Sequence, residues 1–298
     1  MRSKRAMGVV VAAVVAGVLL PGTADAIVGG VPASEPYPFT GSVQMSWAGD
    51  DHRHNCGASL ITPRHALSAA HCFTNFDTDA QRARFGMQAD APDLEDPGLF
   101  HIQFGNADRL RGTEVRGVST ISKPPQWNQG QGTKKGESGD VVLLTLDRPI
   151  TTIPPVAIKQ VTPRTSVRHL GWGRHSTDEI GQGPAPRYLH EVDTPGSVRK
   201  SADCTAAEIG VDEVCFRHGG TRDQPTGGCY GDSGSPTIQR ADGRWYLVGI
   251  TSRGAGEACA TDAVNADPTY YLGWILREVF TMPADAGVAG RDLVDVKA

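Results

Sequence analysis

After Ile27 the apolar residues of this chain come in brief runs, and that rhythm restricts the fold more than any other feature. The runs are Gly41 to Ser46, Ala58 to Ile61, Ala66 to Ala69, Val115 to Ile121, Val141 to Leu146, Ser166 to Gly171 and Trp245 to Ser252. Each has the length of a strand, many hold β-branched residues, and clusters of Gly, Pro, Asp or Asn bound them. With 36 glycines and 20 prolines among 298 residues, turn formers are abundant and long helical periodicities are scarce. The pattern predicts an all-β fold, barrel or sandwich.

Three interruptions organise the chain. Asp90 to Gly98, with four acidic residues and two prolines, and Pro124 to Gly139, polar and glycine-rich, read as long surface loops. The acidic loop offers oxygens to calcium, but a solvated loop is the favoured reading. Thr151 to Pro163 reads as a connector between two halves of similar size. Near the end, Leu272, Ile275, Leu276 and Val279 mark one face of a helix over about 271–281, stopped by Pro283. Residues 282–298 read as a tail.

Residues 1–26 have the form of a secretory signal peptide: Arg2, Lys4 and Arg5, an apolar stretch from Met7 to Leu20, then Ala24-Asp25-Ala26. The apolar stretch is short for a membrane anchor and is followed by Pro21-Gly22. Cleavage after Ala26 removes three positive charges and one negative, so that the net charge of −4 becomes −6. Such a surface has no electrostatic footprint for nucleic acid, and no later segment is long and apolar enough to span a bilayer. The expected protein is secreted and extracellular, with no membrane after signal cleavage.

Six cysteines in an exported chain point to three disulfides, with 15 pairings open on sequence alone. Structural metal ligation is the competing reading, but no Cys-x-x-Cys pair occurs. We therefore expect no metal and no cofactor.

The chemistry concentrates in three places. Ser233 lies in Gly231-Asp232-Ser233-Gly234, His71 in Ala69-Ala70-His71-Cys72, and Asp140 opens an apolar run between them. A serine hydroxyl is a poor nucleophile at neutral pH unless a base takes its proton as it attacks. An imidazole serves, because it titrates near physiological pH, and a carboxylate can fix its tautomer and stabilise the imidazolium. Asp147, before Arg148-Pro149, reads as a turn carboxylate, and His52, His54, His65 and His101 read as surface residues.

From Ile27 to about Phe280 the chain resembles secreted, bacterial-type members of the trypsin and chymotrypsin family of serine proteases. Six segments carry the resemblance in family order: Ile27-Val28-Gly29-Gly30, Leu67 to Cys72, Asp140 to Leu144, Gly171-Trp172-Gly173, Gly231 to Gly234, and Ser252-Arg253-Gly254. The resemblance implies two packed six-stranded antiparallel β-barrels, over about 27–150 and 164–270, with the C-terminal helix closing a peptidase domain over 27–281. It implies a triad of His71, Asp140 and Ser233, an oxyanion hole from the N–H groups of Gly231 and Ser233, and support of the buried aspartate by Ser252. The implied disulfides are Cys56 with Cys72, Cys204 with Cys215 and Cys229 with Cys259, each adding about 3 kcal/mol. It further implies that the α-ammonium of a mature Ile27 pairs with Asp232. Because Ala26 abuts Ile27, export itself is expected to generate the active form.

For specificity, the resemblance puts Gly227 and Gly228 at the base of the primary pocket, where trypsin-like enzymes carry aspartate. Gly254 leaves the pocket entrance open, and Thr269 aligns with the residue that narrows its interior. Asp267 is close enough in sequence to turn into the base and restore a charge there. Arg253 stands where an aromatic residue is usual, and Ser235 replaces a glycine. The implied activity is endopeptidase cleavage after uncharged residues, on protein or peptide substrates, by a monomer open to a protein inhibitor. The rival readings are a catalytically silent homologue that binds a partner protein and an esterase using the same groups.

Overall fold

The computed structural model describes residues 27–47, 49–79, 92–128, 136–175, 185–196, 202–256 and 258–281. The expected signal peptide, the tail and parts of both long loops lie outside the described residues.

Six strands form the first unit: β1 (Thr40–Trp47), β2 (Asp50–Thr62), β3 (His65–Ser68), β4 (Phe100–Phe104), β5 (Glu114–Ser122) and β6 (Val142–Leu146). They close into an antiparallel barrel in the order β1-β2-β3-β6-β5-β4, with β4 returning to β1. Register shifts at Val43/Gln44, Leu60/Thr62 and Val118/Thr120 supply the local bending that closure requires. β6 is buried along its whole length, so both its faces are covered and it reads as an apolar run interrupted by Thr145 alone.

The second unit holds β7 (Val167–Gly171), β8 (His190–Thr194), β9 (Glu213–Phe216), β10 (Pro236–Ala241), β11 (Arg244–Gly254) and β12 (Ala263–Ala266). Their path, β8-β7-β10-β11-β12-β9, is the circuit of the first barrel with one link open, between β8 and β9. Two additions make this an eight-stranded sheet: Val31–Pro32 pairs with β8, and Ala157–Ile158, within the connector, runs parallel to β11. The two-barrel architecture implied by the resemblance is thus present, with its second circuit unclosed among the described residues.

One cluster of buried apolar side chains joins the units, from Val43, Leu60 and Leu144 through Trp172 to Ile238, Leu247 and Ile250. The C-terminal helix, Leu272–Thr281, lies against it. Trp274 and Ile275 are buried, while Leu272, Leu276 and Val279 pack partly. Trp274 thereby joins the face expected from the sequence.

Three disulfides pair Cys56 with Cys72, Cys204 with Cys215 and Cys229 with Cys259. Two clusters have the residue types of metal sites, Cys56–His71–Cys72 and Cys204–Cys215–Asp262. Their sulfurs are all in disulfides and offer no thiolate. In the acidic loop, Asp93 accepts from Asn75 (2.6 Å), Glu95 pairs with Lys123 (2.9 Å) and Asp96 caps a short turn through the Gly98 N–H (2.8 Å). These carboxylates serve the chain's own groups.

Candidate active site

His71 sits in a single 3-10 turn, Ala70–Phe73, directly after β3. The Cys56–Cys72 bridge and the Asn55 side chain, which donates to the Cys72 carbonyl (3.0 Å), tie that turn to β2. Asp140 arrives at the head of β6 on a turn made by Gly139, whose φ is +73° and whose Cβ, if it had one, would meet the Trp127 nitrogen at 2.3 Å. Only glycine fits there.

Both side chains are buried, and they meet. Asp140 Oδ1 accepts the His71 backbone N–H at 2.9 Å, and Oδ2 faces His71 Nδ1 at 2.9 Å. The Ser252 hydroxyl donates to the same Oδ2 at 2.5 Å. Burial alone would push the Asp140 carboxyl up, but the His71 charge and the bonds from His71 and Ser252 outweigh it and bring it down to about 2. An ionised carboxylate so placed fixes the proton of His71 on Nδ1 and leaves Nε2 as acceptor. Asp147, by contrast, pairs with Arg148 at the surface (2.8 Å).

The serine loop belongs to the second unit and docks on the first. The Gly57 N–H donates to the Ser233 carbonyl (2.8 Å), and the Gly234 N–H to the Thr251 carbonyl (2.7 Å). Gly234, at φ +75°, lies so close to Ser68 and Ala69 that a Cβ would meet Ser68 Oγ at 2.2 Å and the Ala69 nitrogen at 3.0 Å. The loop therefore rests on residues two and three places ahead of His71. Ser233 is partly exposed. Among the described residues, no backbone hydrogen bond is donated by the Gly231 or the Ser233 N–H. Ser235 is buried, and its hydroxyl has no partner.

Asp232 is buried beneath the loop, its oxygens taking the N–H groups of Gly173 (2.8 Å) and Cys229 (2.9 Å). Loss of water pushes its carboxyl up to about 7 against the opposing pull of those two bonds. Ile27 is fully buried with φ +62°, and Val28 exchanges two backbone hydrogen bonds with Gly227, both 3.0 Å. Gly228, the next residue, has its α-carbon turned toward Asp232 Oδ2, 3.8 Å from where a Cβ would stand.

His65 is not a surface residue, and His54 is partly buried. His65 is buried and bonded to Thr62 (2.8 Å). His54 packs on Trp172, with Nε2 at 2.9 Å from the Gly231 carbonyl and Nδ1 at 2.8 Å from Ser42 Oγ. Desolvation, helped by the Arg109 charge, pushes it down to about 3, so the ring is neutral. A carbonyl only accepts; hence Nε2 carries the proton and Nδ1 accepts from Ser42. Nothing in the spacing of the histidines signalled this, because the partners are 12 and 177 residues away.

Thr269 is not opposite Gly254. The β11–β12 register sets Ala263 against Gly254, because β12 begins only four residues after Cys259. Thr269 comes after β12, and its hydroxyl donates to Asp267 (2.6 Å). Asp267 also takes the Thr269 N–H (2.9 Å), and its carboxylate is not turned to Gly227. A Cβ on Gly227 would instead meet Ala260 at 3.3 Å, and one on Gly254 would meet Thr261 Oγ1 at 2.6 Å. Arg253 reaches across to Glu213, Nη2 donating to Oε2 at 3.0 Å.

A family model described as Trypsin matches residues 27–275. Human testisin is 30% identical over 254 residues, covering 77% of this chain and 70% of that protein. CLIP domain-containing serine protease B4 of Anopheles gambiae is 26% identical over 275 residues, with coverages of 86% and 71%. Transmembrane protease serine 9 of Rattus norvegicus is 30% identical over 276 residues, 89% of this chain but 23% of its own length. With a family model over most of its length and a relative 30% identical over 77% of it, the chain belongs to the trypsin family of serine proteases.

Proposed function

We propose that this chain is a serine endopeptidase that works through His71, Asp140 and Ser233. The observation that carries the reading is the His71–Asp140–Ser252 arrangement, with the Ser233 loop docked beside it. Ser233 Oγ attacks the substrate carbonyl while His71 Nε2 takes its proton, and the Gly231 and Ser233 N–H groups receive the charge that forms on oxygen. His71 then returns the proton to the departing amine. Water, deprotonated by the same imidazole, releases the acid from Ser233.

Cleavage follows small, uncharged residues. Gly227 and Gly228 put no charge at the pocket base, while Ala263, paired with Gly254, and Thr261, whose Oγ1 would lie 2.6 Å from a Gly254 Cβ, narrow the space there. Export and cleavage after Ala26 release Ile27. Three disulfides agree with an oxidising destination, and no helix among the described residues is long and apolar enough to cross a membrane.

The test uses a chain beginning at Ile27. A phosphonofluoridate should transfer its phosphonyl group to Ser233 with loss of fluoride, located by mass spectrometry, and a mixed peptide library should be cut after Ala, Val or similar side chains. A folded chain with that terminus that neither labels nor cuts would establish the silent homologue instead. Cuts after Lys or Arg would overturn the pocket assignment alone.

His54 supplies a further prediction. His54→Phe keeps a ring against Trp172 but loses both hydrogen bonds, freeing the carbonyl of the peptide unit that links Gly231 to Asp232. We expect kcat to fall about fivefold to tenfold, the equivalent of roughly one hydrogen bond. Because His54 is already neutral, the deficit should be the same at pH 6 and pH 8. Steady-state kinetics at the two values decide it.

A further inference from the structure

Asp140 is held by two things besides His71: the turn that delivers it and the Ser252 hydroxyl. Both lead to the same place. Asp212 and Glu213, consecutive acidic residues at the start of β9, are fully buried. Asp212 takes the Ser138 N–H (2.9 Å), the Gly139 N–H (2.9 Å) and the Tyr271 hydroxyl. Glu213 takes both terminal nitrogens of Arg253, the neighbour of Ser252, and the Gly210 N–H (2.7 Å). One acidic residue thus grips the two positions before Asp140, and the next grips the position after Ser252.

We infer that Asp212 and Glu213 are positioning residues, a brace through which the second unit sets the place of Asp140 as well as that of Ser233. The physical need is local. Gly139 has left-handed backbone and no side chain, and within the turn a single bond, from the Val141 N–H to the Gly139 carbonyl (2.7 Å), closes across Asp140, so further anchorage comes from outside. A carboxylate accepting two successive backbone N–H groups supplies that anchor, in the manner of an anion held in a backbone nest. Burying two carboxylates is costly, and removing a partner from such a group is worse than never having built it. Here each is satisfied in part by donors that lead to Asp140: Ser138 and Gly139 for Asp212, and Arg253 for Glu213. Asp212 is itself held from behind, where its carbonyl accepts the Asp267 N–H (2.9 Å) and Glu213 pairs with Ala266 in the sheet.

The effect on turnover rests on the protease reading, but the brace has a readout that needs no turnover. In the Ser233→Ala protein, the proton on His71 Nδ1 can be followed by NMR at low field, where its bond to Asp140 places it. Asp212→Ala should move that resonance upfield or broaden it away. Asp212→Asn, which keeps one acceptor oxygen for the turn, should restore it in part, and Glu213→Gln should disturb it less. With Ser233 intact, Asp212→Ala should lower kcat on a peptide about 10-fold to 100-fold, the scale of a small misplacement of a reacting group, with KM changed less than about twofold. An unmoved resonance in folded Asp212→Ala, or a lowered melting temperature with kcat intact, overturns the inference. Should Asp212→Ala fail to fold, Tyr271→Phe, which removes one donor to Asp212, carries the same readouts. A resonance that responds in a chain that cuts nothing would leave the brace standing and remove the protease reading.

Discussion

In a chain beginning at Ile27, Ser233→Ala is expected to lower kcat about a millionfold and Asp140→Asn about ten-thousandfold, with KM for a peptide changed by less than about threefold. The two losses have different origins. Without Ser233 Oγ no acyl-enzyme forms, and what remains is the contribution of the oxyanion donors and of substrate binding. Asn at position 140 keeps an oxygen for the His71 backbone N–H but turns an amide nitrogen toward Nδ1, where Oδ2 now stands. That imposes the other tautomer: Nε2 becomes protonated and can no longer accept from Ser233. Since the groups act as a unit, the double variant should be no slower than Ser233→Ala alone. Asp140 also ties activity to acid stability. Its carboxyl is held at about 2, below the ordinary value of about 3.9. Its contribution to stability is therefore present above about pH 4 and lost as pH falls through about 2. Asp140→Asn should flatten that part of the acid limb, and thermal melts between pH 2 and 5 measure it. Ten-thousandfold loss without a tautomer change, or none at all, would remove Asp140 from the role.

The strands that could be read from the sequence are those whose burial is apolar. β6, Val142–Leu146, is all apolar but for one Thr and buried throughout. Five others, β4, β8, β9, β10 and β12, are not apolar runs, and the reason is visible in two of them. β8 carries Glu191, buried because Ser34, Tyr37 and Arg168 satisfy it, with Tyr37 donating at 2.8 Å and Arg168 forming an ion pair at 2.9 Å. β9 begins with Glu213, buried against Arg253. A buried charge is tolerable only with partners, and these partners are 23 to 157 residues away. Local pattern cannot see them. The duplicated circuit of the two units was equally hidden, since strand order follows from pairing and burial, which many sequences satisfy, and leaves no repeat of residue identities.

The site divides along the same line. His71, Asp140, Ser233 and Ser252 were legible because their short motifs hold the glycines and small residues that the turns demand, such as Gly234 against Ser68. That Ala263 rather than Thr269 lies opposite Gly254 could not be read either, because it depends on where β12 starts, which register decides and spacing does not. Asp212 and His54 were invisible for a third reason. Each acts through backbone groups of distant residues, Ser138 and Gly139 for one and Gly231 for the other, and a backbone partner leaves no mark on the sequence at its end of the bond.

A chain that keeps even a few residues ahead of Ile27 should lose activity about a hundredfold or more, the scale of one oxyanion donor, and should lose stability as pH rises. Asp232 is the reason. While Ile27 remains peptide-bonded, no charged group among the described residues offsets the burial of that carboxyl, and it is held at about 7. A folded value raised above the unfolded one stabilises the protein fully below about pH 4 and ceases to do so as pH rises through about 7. At pH 8 the extended chain must bury an unpaired carboxylate or distort the loop that carries Gly231 and Ser233. We propose that, once freed, the Ile27 ammonium neutralises Asp232. Pairing raises the ammonium above its ordinary value of about 8, so its contribution persists at neutral pH and is lost only as pH climbs through the raised value. The gap in stability between the two forms should therefore be small at pH 4 and grow to a few kcal/mol, on the order of what a three-unit displacement implies, by pH 8. Denaturant melts of both forms at pH 4, 6 and 8, beside kcat for each, test the pairing directly. A gap that does not widen with pH would mean that the charge on Asp232 is met by some other group and that cleavage at Ile27 does not assemble the site.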